Sequence, residues 1–93
     1  MTPEQLYRHL EDLAEQLGIS IRHENLSNRD PAVSSGLCRV RGNHLFLMDE
    51  AKPLSDKIRA LSECLSRMDL EGVYLLPAVR RILEENRENG LER

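Results

Sequence analysis

The side chains able to ligate a metal, move a proton or attack a carbonyl are few in this chain and widely spaced. Three histidines, His9, His23 and His44, and two cysteines, Cys38 and Cys64, supply all its imidazole and thiol. The histidines fall on three different predicted elements with no ligand spacing among them. Neither cysteine has a C-x-x-C partner, so the spacing encodes no zinc site. Such histidines ordinarily read as solvated or locally hydrogen-bonded side chains. Glu63 beside Cys64 has the makings of a base and a nucleophile, but a reactive thiol needs an imidazole or a cation to lower its pKa. Cys64 therefore reads as a core thiol. Arg39 and Arg41 on one predicted strand, and Arg80 and Arg81 on the last predicted helix, are small basic clusters that could contact a phosphate or an acidic partner. Their ordinary reading is solvated surface. No glycine-rich phosphate loop and no Ser-His-Asp set can be picked out.

Composition excludes several classes. With 93 residues, 40% of them hydrophobic, the chain suits one small globular domain, residues 1–93. A formal charge of −3 gives no field for nucleic acid or an anionic membrane, and 3% aromatic residues rule out a base-stacking platform. No apolar run nears the roughly 20 residues of a membrane span, and the polar start lacks the core of a signal peptide. The chain is expected to be cytoplasmic, with both cysteines free.

The elements that must position these residues follow from periodicity. Thr2, Pro3 and Gln5 open a first helix as a capping box, Leu6, Leu10, Leu13, Ala14 and Leu17 give it an apolar face, and Gly18 stops it. Ile19 and Ile21 mark a short strand. From His23 to Ser35 the chain is polar, with Asn28 and Pro31 as turn residues, and reads as an exposed, mobile loop. Residues 37–41 and 44–48 read as a hairpin around Gly42-Asn43, and the second arm, apolar on both faces, reads as the inner strand. A helix over 55–68 follows, with Ser55 as N-cap and Ile58, Leu61, Leu65 and Met68 as its stripe, laid on the hairpin sheet. Ser62 and Ser66 read as its polar flank. Asp69 to Gly72 break it, Pro77 starts a third helix over 77–87, and residues 84–93 are expected to fray. The predicted fold is α+β, order α-β-β-β-α-α, with a small three-stranded sheet against helices.

The run Leu13-Ala14-Glu15-Gln16-Leu17-Gly18-Ile19, then a strand, a loop, a hairpin begun at Gly36 and a helix, resembles the core of ImmA/IrrE-type metallopeptidase domains of the zincin group. The resemblance spans residues 5–68 in element order. It implies a zincin-like scaffold whose helix after the hairpin would carry H-E-x-x-H. In this chain those positions are Ser62, Glu63, Cys64, Leu65 and Ser66. Only the glutamate matches. Zinc hydrolysis needs two imidazoles four residues apart facing one metal, with the glutamate polarising its water, and serine hydroxyls are poor ligands. Ser62, Glu63 and Ser66 then stand as relics of a site, and neither zinc binding nor peptidase activity is expected.

The function expected from the sequence is a non-enzymatic protein-interaction module, with a protein partner or a second copy at an open sheet edge. No cofactor is implied. One alternative is an enzyme or metal binder whose site assembles from scattered residues such as His44, Glu63 and Glu71. Another is a regulatory protein touching nucleic acid through Arg39, Arg41, Arg80 and Arg81.

Overall fold

The computed structural model describes residues 1–26 and 35–91, the last three of these in backbone only. The expected loop around Asn28 and Pro31 lies outside the described residues. The elements are α1 (Pro3–Gln16), β1 (Ile19–Glu24), β2 (Gly36–Val40), β3 (Asn43–Asp49), α2 (Leu54–Ser66) and α3 (Pro77–Leu91), an α+β chain in the expected order.

α1 begins with the capping box in place. Gln5 N–H donates to Thr2 Oγ1 at 3.2 Å, and Thr2 N–H donates to Gln5 Oε1 at 2.9 Å. Gly18 ends it at φ 81°, a left-handed turn that releases the chain straight into β1. The sheet order is β1-β3-β2, so the last strand in sequence is the central one. β1 runs parallel to β3 with Ile21 opposite Phe46, and β2 runs antiparallel to it with Leu37 opposite Phe46. Paired residues share a face. Ile19, Ile21, Phe46 and Met48 therefore point to the helices, with Leu37 and Arg39 on the same side. Ser20, Arg22, Cys38, Val40, Leu45 and Leu47 point to the opposite face, which no described helix covers.

The hairpin turn sits one residue earlier than the sequence suggests. Val40 pairs with Asn43, and the two central residues are Arg41 at φ 52° and Gly42 at φ 83°. Positive φ at both positions marks a primed turn, which matches the twist of its strands. Placing Gly42-Asn43 in the turn would put Arg39 opposite Phe46. The observed register puts Leu37 there and Cys38 opposite Leu45, apolar pairs that offset the left-handed arginine.

α2 is the hub. Its stripe of Ile58, Leu61 and Leu65 is buried with Leu10, Leu13 and Ala14 of α1, Val79 and Leu83 of α3, and Phe46 and Met48 of β3. The stripe packs more extensively on α1 and α3 than on the hairpin, so the core is mainly a three-helix seam closed by one sheet face. α2 also starts earlier than expected. Pro53, in extended conformation, is the N-cap, and its carbonyl accepts from Asp56 and Lys57 N–H, which leaves Ser55 inside the first turn. After Ser66 the chain turns at Asp69, whose Oδ1 accepts from Glu71 N–H at 3.0 Å, and at Gly72, φ 79°. Met68 falls past the helix end and is half-buried. α3 continues to Leu91, beyond the expected end near residue 87, and residues 92–93 lie outside the described set.

Two stability effects follow. Leu65, with no exposed surface at mid-stripe, should lose about 2–5 kcal/mol on Leu65→Ala, read from urea unfolding. Arg41→Asn should stabilise by about 0.5–1 kcal/mol in the same measurement, because asparagine tolerates the left-handed position that arginine occupies under strain.

Candidate functional site

Ser62 and Ser66, the positions that would hold zincin imidazoles, face α3. They are buried, not a solvated flank. Ser62 Oγ donates to Arg59 O at 3.1 Å and accepts from Asn86 Nδ2 at 3.1 Å. Ser66 Oγ donates to Glu63 O at 2.8 Å, and its carbonyl accepts from Arg87 Nε and Nη2 at 3.1 and 3.0 Å. Both hydroxyls satisfy themselves on their own helix, which lets two small side chains sit against α3 without an orphaned polar atom. Sequence periodicity could not separate this from a wet flank, because the partners Asn86 and Arg87 lie 24 and 21 residues away in the chain, on another element.

Glu63 points away from this seam and is exposed, while Cys64 beside it is buried. Burial pushes the Cys64 thiol up, with Arg67 only partly opposing it, so the sulfur stays protonated and unreactive. His44, Glu63 and Glu71 are not brought together. Among the described residues no three His, Cys, Asp or Glu side chains converge as a metal would require. The arginines also stay apart: Arg39 reaches His44 Nε2 at 3.4 Å near the hairpin turn, whereas Arg80 and Arg81 are exposed on α3, which touches none of the strands.

Glu63 does line a groove of about 190 Å³ between α2 and β2, with Gly36, Leu37, Phe46, Ala60, Cys64, Arg67 and Met68. This is below the roughly 300–1,000 Å³ of small-molecule sites and suits protein side chains. Its wall is apolar, with Glu63 and Arg67 as the charged residues of its lining. The strand beside it is unusual for an edge. Leu37 is 41% and Val40 48% exposed, on opposite faces of β2, and no described segment pairs with its outer side. The other edge, β1, carries Arg22 and Glu24 with their side chains 4.0 Å apart. Charges of that kind discourage strand addition, and β2 has only Arg39.

A larger groove, about 520 Å³, lies where α1, α2 and α3 begin and is lined mainly by Met1, Pro3, Leu6, Leu54, Ile58 and Ala78. Its polar lining residues are Thr2, Glu4 and Ser55, one exposed carboxylate and two hydroxyls with no imidazole or thiol beside them. A third, of about 460 Å³, runs past Glu11, Glu15, Ser20 and His23. There the structure joins three residues that sequence reading left apart. Tyr7 Oη lies 3.1 Å from His23 Nε2, and Glu11 Oε2 lies 3.6 Å from the same nitrogen. Tyr7 and Glu11 share one face of α1 by their four-residue spacing, and His23 continues the alternation of Ile19 and Ile21. Burial, then the Glu11 charge, pushes the Tyr7 phenol up to about 12, so it stays protonated, and the imidazole tautomer sets which of Tyr7 Oη and His23 Nε2 donates. Phenol and carboxylate compete for one imidazole nitrogen, an arrangement that pins α1 to β1 and supplies no nucleophile.

Compared with protein-family models, with curated proteins and with solved structures, the chain matches none.

The tyrosine gives a pH test. Its folded pKa lies above the ordinary 10, so the stability it contributes is whole below pH 10 and is lost as pH rises towards about 12. In a Tyr74→Phe variant, which leaves Tyr7 as the single phenol, tyrosinate absorbance should rise in the folded state about two pH units later than in the urea-unfolded chain.

Proposed function

We propose that this protein is a non-enzymatic protein-interaction module that takes an extended segment of a partner along β2. The observation that carries this is the β2 edge, unpaired among the described residues and apolar on both faces, beside a groove of side-chain size. In strand addition the backbone of the edge supplies hydrogen bonds and gives affinity, while pockets for alternate side chains give selectivity. An added strand would place every second side chain on the helix-covered side, next to Leu37 and the groove rimmed by Glu63 and Arg67. The scaffold resembles the zincin core in element order, with Ser62 and Ser66 serving helix packing where that family has imidazoles. Two free thiols suit a reducing compartment, and we place the protein in the cytoplasm. No described helix is long and apolar enough to cross a membrane.

Selection of peptides from a displayed library tests the reading. Peptides that bind should perturb the amide resonances of Leu37 and Arg39, and Leu37→Lys should weaken them about tenfold. Peptides that map to α1 or α3 and ignore Leu37→Lys would overturn it.

A further inference from the structure

Strand addition to β2 raises the question of which strand is added, and the hydrogen-bond phase of the hairpin narrows the answer. Val40 and Asn43 flank the two-residue turn and form its closing pair. In such a hairpin the closing pair exchanges both backbone hydrogen bonds. Val40, Cys38 and Gly36 therefore bond inward to β3, and Leu37 and Arg39 turn their N–H and C=O groups outward. Two antiparallel copies of β2 can pair symmetrically only where outward groups meet outward groups. Arg39 opposite itself sets like charges face to face. Leu37 opposite itself leaves Val40 and its exposed side chain beyond the partner's Gly36, the first residue of β2. Leu37 opposite Arg39, with Cys38 on the axis, pairs all five residues of Gly36–Val40 with their counterparts.

We infer that the partner strand is β2 of a second copy of this chain, in that register, so that two three-stranded sheets become one of six strands. The inference rests on the strand-addition reading and names its occupant. The register is self-complementary on both faces. On the helix-covered side, each Arg39 is delivered past the other copy's Leu37 towards its groove, where Glu63 is exposed and forms no ion pair within the described chain. On the open face, each Val40 lies over the other copy's Gly36, where open space surrounds a missing side chain. The two Cys38 side chains meet at the axis as a non-hydrogen-bonded pair. Such a pair has its Cα atoms about 4.5 Å apart, inside the 4.4–6.8 Å that a disulfide spans. The half-buried Leu45 and Leu47 of each copy then flank a continuous apolar strip. β1 cannot offer this surface, since Arg22 and Glu24 lie along its edge.

Sedimentation equilibrium on the full chain, with diamide cross-linking as a second readout, tests the arrangement. A reversible dimer is expected whose cross-link disappears in Cys38→Ser while the dimer itself persists. Arg39→Glu and Glu63→Arg should each weaken dimerisation about two- to fivefold, and the double exchange should restore it. Both sites are exposed, and unchanged far-UV circular dichroism confirms the fold of each variant. A chain monomeric at every concentration, or a dimer that diamide does not join at Cys38, overturns the inference. If the monomer still takes selected peptides on β2, strand addition survives and only its occupant is wrong. If neither self-association nor peptide binding depends on β2, both readings fall.

Discussion

The sheet depends on one buried carboxylate. Its strand order, β1-β3-β2, sets β1 and β2 on opposite sides of β3. Leu26, just past β1, and Ser35, just before β2, both meet Asp49, the last residue of β3, which is 3% exposed. Asp49 Oδ1 accepts Leu26 N–H at 3.4 Å and Ala51 N–H at 3.1 Å, and its own N–H donates to Ser35 Oγ at 3.0 Å. One residue thus holds the chain where it leaves β1, where it enters β2 and where it departs towards α2. A carboxylate so far from water is tolerated because backbone N–H groups are aimed at it, and truncating it would leave those donors buried without partners. The position of β2, and with it the exposed edge, follows from this anchor.

The second constraint is the small cross-section of α2 on the side facing α3. A helix that must pack against two helices and a sheet at once needs bulk on some faces and little on others. Ile58, Leu61 and Leu65 fill the space towards the centre, while Ser62 and Ser66 allow α3 to approach. Asn86 and Arg87 then cap that approach with hydrogen bonds to the same two residues. Histidines at Ser62 and Ser66 would have to displace α3, so in this molecule the serines are parts of a packing surface.

Much of this was legible in the sequence. The capping box at Thr2, the stop at Gly18, the inner strand read from the two-sided apolarity of residues 44–48, and the break at Asp69 to Gly72 each rest on a local rule with a local cause. What was not legible depends on tertiary neighbours. Asp49 reads as a strand end until its donors are placed around it. The turn shifts to Arg41-Gly42 because of what Leu37 and Cys38 meet across the hairpin. Tyr7, Glu11 and His23 become a cluster only when α1 lies on β1. The groove at Glu63 exists only once β2 is set beside α2. Periodicity assigns a residue to a face of its own element, but not which partner that face will meet.

The contrast between the two sheet edges bears most directly on function. A small domain with an open edge risks uncontrolled pairing, and charge is the usual protection. β1 has that protection in Arg22 and Glu24, and α1 also packs along it. β2 has neither proline nor bulge, exposes leucine and valine on opposite faces, and carries a single arginine. Burying that apolar surface would favour association, at about 25 cal/mol per Å² before the costs of docking are counted. Among the described residues, one edge of the sheet is protected by charge and the other is not, which is what the proposed pairing along β2 requires. The lone arginine fits this account as well. It is too little charge to block a strand, yet enough to penalise any register that sets two copies of it face to face.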